Sequence, residues 1–211
     1  PESLARLEAD GDFAAMFGIA GADTERLTPG GADTVVFNAI LHEVYSYSPA
    51  RRTAVDNALD QADRTLGAAG RIVIRDGVMP ESPELPARFT APDDALVADY
   101  LARSPHPELR LQRRGEWWAG SRHAVSEALL TLTWGPDSLP REAQERFELG
   151  GVDDYPERLA RRGFRTLHRE VVTQPGYITA LSAYRVESVD ATGRWSAWFP
   201  PTNALWVFER L

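Results

Sequence analysis

Short runs of β-branched and aromatic residues, each bounded by turn formers, mark four segments as buried strands: Phe17 to Ala22, Thr34 to Ala39, Arg71 to Arg75 and Ala204 to Glu209. A fifth, Phe164 to Val172, is more alternating. Between the second and third lies "SPARRTAVDNALDQADRTLGAAG", which sets Val55, Leu59, Ala62 and Leu66 at helical spacing and stops at Gly67 and Gly70. Strand, helix, strand predicts a right-handed parallel crossover. The opening "PESLARLEADG" has Pro and Glu in a first turn, Leu4 and Leu7 on one face and a glycine stop. It reads as another crossover helix, with its preceding strand ahead of Pro1. From Glu81 to about Gly163 the texture turns to Pro-punctuated helices, Asp93 to Arg103, Gly120 to Leu132, Arg141 to Phe147 and Tyr155 to Arg162, which together predict an inserted helical cap.

Composition narrows the classes. The 211 residues suffice for one compact unit, and no apolar run approaches the ~20 residues that a membrane helix needs. The 31 acidic against 23 basic residues give a net charge of -8, which argues against non-specific nucleic-acid binding. Cysteine is absent, which excludes disulfides, thiolate metal sites and a cysteine nucleophile. Every basic residue is arginine, which removes lysine Schiff-base chemistry and the phosphate-loop lysine. With no signal or transit character at the start, a cytoplasmic location is expected; the start reads as cut.

The best local candidate for a site is "ADTVVFNAILHEVYSYS", where a hydrophobic strand runs into Asn38, His42, Glu43, Tyr45 and Tyr47. In open parallel sheets ligands bind beyond the carboxyl ends of strands, which is where these residues would sit. His42 and Glu43 could equally cap and solvate a short helix. Asp76, ending the third of these strands in "IRDG", either binds a ligand or caps the next segment. The tryptophans and Tyr177 line a pocket for a planar ligand or fill the core and cap. His106 and His123 have no partner at metal-ligand spacing, so no metal site is expected.

The string "GADTERLTPGGADTVVFNAILHEV" resembles the central half of a class I S-adenosylmethionine-dependent methyltransferase, and "LGAAGRIVIRDGV" resembles that family's helix, glycine turn and fifth strand. "PESLARL" resembles the helix after the ribose-binding acid, and the tail resembles the sixth and seventh strands that close the family's sheet, the last one antiparallel. The resemblance implies a Rossmann-like α/β fold with a mostly parallel sheet: residues 1–80 and 164–211 form the core and residues 81–163 the helical cap. It implies S-adenosylmethionine as cofactor, with Asp23 and Thr24 at the adenine and Asn38 beside the sulfonium. The methyl acceptor, a small molecule or a macromolecule, would lie under the cap, with His42 or Glu43 as base and Tyr45, Asp76, Tyr177 and Asn203 around it. The family's glycine-rich loop and ribose-binding acid are expected ahead of Pro1; Gly30-Gly31 and Gly150-Gly151 lack the strand-to-helix setting of such a loop. That departure leaves two alternatives: a catalytically silent Rossmann-like binding module, or a nicotinamide-dependent oxidoreductase, which needs the same loop.

Overall fold

The computed structural model describes residues 29–211. The opening helix, the strand Phe17 to Ala22 and the residues Asp23 and Thr24 lie outside the described residues. In chain order the elements begin with β1 (Ala32–Asn38), α1 (Leu41–Tyr47), α2 (Arg52–Thr65), β2 (Leu66–Asp76), β3 (Pro86–Thr90) and α3 (Asp94–Arg103). They continue with β4 (Gln112–Arg114), β5 (Trp117–Ser121), α4 (Arg122–Leu132), α5 (Gly135–Glu142) and α6 (Asp154–Ala160), and end with β6 (Phe164–Val172), α7 (Pro175–Leu181), β7 (Arg185–Val189), β8 (Trp195–Ala197) and β9 (Asn203–Arg210).

The strands form two sheets. In the first, of order β1-β2-β9-β6, β1 and β2 are parallel and β9 runs antiparallel to both its neighbours. Its core takes the alternate positions Ile72 and Ile74 of β2 and Ala204, Trp206 and Phe208 of β9, closed on one side by Val55, Leu59 and Ala62 at the helical spacing of α2. Burial of that stripe, at ~1.5–3 kcal/mol for each large side chain, is what fixes α2 to the sheet. The second sheet, β4-β5-β3-β7-β8, is antiparallel throughout and has its own core of Phe89, Val97, Tyr100, Val125, Leu129 and Leu139.

Two expectations are corrected here. The sheet is not mostly parallel: among the described residues β1 and β2 make the one parallel pairing, and the second sheet has none. Nor is the cap purely helical, since β3, β4 and β5 fall within 81–163 and are joined by β7 and β8 from the stretch assigned to the closing strands. These strands are short and half-buried, so their period-2 pattern, Ala87 and Phe89 inward with Arg88 and Thr90 between, is only two repeats long. The helix expected from Gly120 starts at Arg122, where Ser121 ends β5 and its hydroxyl accepts from the Ala124 amide as an N-cap. The helix expected over 141–147 ends at Glu142, because Pro140 and the Gly135 start belong to the shorter α5.

Among the described residues the chain crosses between the two sheets four times, at 77–85, 143–153, 173–184 and 198–202. All four crossings meet at one end of the first sheet, beyond the carboxyl ends of β1 and β2.

Candidate functional site

The site grows out of the pattern of β2. The apolar row Ile72 and Ile74 is continued on the same face by Asp76, a carboxylate that is 1% exposed where the strand ends. Opposite it, β1 turns sharply into α1 through Ala39, whose φ of 50° is a strained value for a residue with a Cβ. Helix α1 has no capping side chain of its own. Asp76 fills that need: its Oδ2 accepts from the His42 amide at 3.1 Å and its Oδ1 from the His42 ring Nδ1 at 2.5 Å. The capping role is thus real but directed back to α1, and it also fixes the imidazole.

The other ring nitrogen, Nε2, lies 3.4 Å from Oε2 of Glu145, which arrives from the 143–153 crossing. Glu145 in turn accepts the Tyr47 hydroxyl at 2.7 Å and faces the Arg141 guanidinium at 3.3 Å; Arg141 also donates to Glu43 at 2.9 Å. The Phe147 ring covers His42 with centroids 5.0 Å apart. Phe147 can come so close because residue 77 is glycine: a Cβ there would stand 2.2 Å from the Phe147 carbonyl oxygen.

These groups open into a cavity of about 380 Å³. The sequence-predicted residues His42, Glu43, Asp76, Tyr177 and Asn203 all line it, brought from α1, β2, α7 and the start of β9. Asn38 does not; its side chain accepts from Arg75 at 3.1 Å across the β1-β2 ladder. Tyr45 points elsewhere, beneath Arg51 and beside Arg52, Val55 and Tyr155, so it does not shape this cavity. Sequence reasoning missed Arg141, Glu142, Glu145 and Phe147, which the cap supplies, and Gln174, whose amide ties α7 to β9 through a 2.9 Å bond to the Thr202 hydroxyl.

Burial alone would lower the pKa of His42, but hydrogen bonds and charge attraction from Asp76 and Glu145 outweigh it and raise the value to about 10. His42 is therefore an imidazolium at neutral pH, and its Nε2 is a donor. Burial works against Glu145 too, yet His42, Tyr47 and Arg141 hold its pKa down. Glu142 moves the other way, pushed up by burial and by the charge of Glu145. The pocket thus contains a proton donor, a fixed carboxylate and a more basic carboxylate, with Tyr177 and Trp134 as apolar walls.

No family model matches the chain, and no curated protein matches it in sequence. Among solved structures, it is similar to one described by the conversion of a disulfide bond into a thioacetal group during echinomycin biosynthesis, at 14% identity and a TM-score of 0.43. That match covers all of this chain, which spans 63% of the other's length. Two proteins described as S-adenosylmethionine-dependent methyltransferases are also similar. The one from Methanosarcina mazei matches at 11% identity and a TM-score of 0.43 over 97% of this chain and 77% of the other; the one from Mesorhizobium loti at 16% and 0.40 over 94% and 74%.

Proposed function

We propose that the chain carries the acceptor site of a class I S-adenosylmethionine-dependent methyltransferase. The observation that carries this reading is the order β1-β2-β9-β6, with the last strand antiparallel between its neighbours and a polar pocket beyond the carboxyl ends of the parallel pair. Such an order, with a polar pocket beyond the parallel strands, is what the closing half of that family's sheet would have. The pocket suits the cofactor's sulfonium, because Glu43, Asp76, Glu142 and Glu145 outnumber the cations His42, Arg75 and Arg141. Ala39 at the pocket wall would lie by the sulfonium, with Asn38 turned away to Arg75, and Asp23 and Thr24 would meet the adenine.

When bound, S-adenosylmethionine supplies a methyl group that the acceptor's lone pair takes as the carbon–sulfur bond breaks. The protein's task is to hold the acceptor in line and out of water. His42 is oriented by Asp76 through Nδ1, and its Nε2 proton, which faces Glu145 at 3.4 Å, is shared between Glu145 and the acceptor. A proton lost by the acceptor passes to Glu142, the carboxylate whose burial makes it the stronger base. Glu43, through Arg141, sets the charge at the pocket mouth.

The deciding experiment is a crystal structure with the demethylated cofactor, using the gene product expressed from its own start codon. The cofactor's sulfur should face His42 and Glu142. A titration without binding, or a sulfur directed away from this pocket, would leave the silent binding module as the reading.

A further inference from the structure

A second cluster of one histidine and two glutamates lies wholly inside the cap. His123 and Glu127 stand one turn apart on α4, so their side chains share a face, and Glu148 approaches from the 143–153 crossing. His123 Nε2 is 3.7 Å from Glu127 Oε1 and 3.6 Å from Glu148 Oε2, and one atom of each residue falls within 4.8 Å of the others. Exposure is 9% for His123, 1% for Glu127 and 0% for Glu148.

The hydrogen bonds around the cluster are all directed inward from its rim. Glu127 accepts the amides of Phe147 and Glu148 at 3.1 and 2.7 Å, and Ser126 donates its hydroxyl to Glu148 Oε1. What remains is a pair of buried atoms with no partner, His123 Nε2 and Glu148 Oε2, and they face each other. Among the described residues no arginine pairs with either glutamate. Two carboxylates in such a place repel each other and lack water; burial and the Glu127 charge raise the Glu148 pKa, and either a retained proton or a bound cation relieves the repulsion.

We propose that His123, Glu127 and Glu148 bind one divalent cation of the zinc class, pinning the 143–153 crossing to α4. A tetrahedral ion with bonds of about 2.1–2.2 Å sets its ligand atoms about 3.4–3.6 Å apart, close to the 3.7 and 3.6 Å that separate His123 from the two carboxylates. Two carboxylates and a neutral imidazole bring the total charge with a divalent ion to zero. The backbone amides on Glu127 and the Ser126 hydroxyl on Glu148 hold the carboxylates from outside, as the partners of metal ligands do, and a water completes the four. The ion does not touch the methyl-transfer pocket, but the residue before Glu148 is Phe147, the ring that covers His42.

The test is calorimetric titration of the chelator-stripped chain with zinc. Wild type should bind one equivalent, and a hundredfold excess over the dissociation constant should raise its melting temperature by about 5 °C or more. His123→Gln and Glu148→Gln, each close to the native volume, should weaken binding by about 100-fold or more, while His42→Gln leaves it intact. Anomalous diffraction at the zinc edge on wild-type crystals should place the ion between the three side chains. Failure of wild type to bind, loss of binding in His42→Gln with retention in His123→Gln, or an anomalous peak elsewhere overturns the proposal.

Discussion

The two histidine–carboxylate clusters contain the same groups and differ in how their charge is balanced. At His42 every polar atom has a partner: Asp76 holds one ring nitrogen, Glu145 faces the other, and Tyr47 and Arg141 satisfy Glu145 from behind. The imidazole carries the positive charge itself, and the cluster opens on a cavity. At His123 the backbone amides and one hydroxyl bind the carboxylates, no cationic side chain among the described residues joins them, and two atoms are left over. Composition alone therefore does not tell a reactive group from a binding cage. What separates them is whether the neighbours supply compensation or leave a gap shaped for it.

The contrast can be broken most forcefully at Glu127. Glu127→Ala leaves the amides of Phe147 and Glu148 buried without acceptors, which at ~1–3 kcal/mol each should cost ~3 kcal/mol or more in a denaturant melt. A loss under ~1 kcal/mol would show that the crossing is held elsewhere. His42→Ala should lower methyl-transfer turnover ~100-fold, the scale of one lost preorganised donor, with cofactor affinity kept within about twofold. Equal loss of melting temperature and turnover would instead mark His42 as structural.

The pH dependence sharpens the same comparison. Because the folded-state pKa of His42 is raised to about 10 from 6.5, its contribution to stability is fully present below pH 6.5 and is lost as pH climbs through about 10. Thermal melts between pH 7 and 10.5 should decline in wild type and flatten in His42→Gln. Turnover should fall on the same alkaline limb; a rise there would make His42 a base rather than a donor. The smallest effect is expected at Arg141, whose side chain is 61% exposed. Arg141→Ala should change stability by no more than ~1 kcal/mol, since exposed ion pairs contribute little, and should lower turnover only a few-fold.

Much of the first sheet was legible because its strands carry full apolar rows: Ile72 and Ile74 are followed by Asp76, and Trp206 and Phe208 sit at every second position of β9. The strand-end rule likewise named His42 and Glu43, which line the cavity, but also Asn38 and Tyr45, which do not. The cap half of the pocket was not legible. Glu145 and Phe147 lie in an irregular crossing with no period of its own, and nothing local says that it returns to cover His42. One signal was available: Arg141 and Glu145 are four apart, as are His123 and Glu127, a spacing at which charged side chains on a helix meet. On α4 that spacing holds within a helix, and it is the only sequence trace of the buried cluster. The antiparallel cap sheet left less, since hairpins such as β4-β5, turning at Gly115 with a φ of 63°, are three to five residues long.

The four crossings between the sheets give the molecule a mechanical character. Gly77, Glu145, Gln174 and Thr202 each belong to a different crossing, and each lines the same cavity. A cap joined by one pair of strands can swing like a door, whereas one stitched through four points must shear or flex along its whole boundary to let an occupant leave. Domain grafting faces the same constraint: the cap is two separate pieces of sequence, so exchanging it means cutting the gene in four places, each of them within the wall of the pocket.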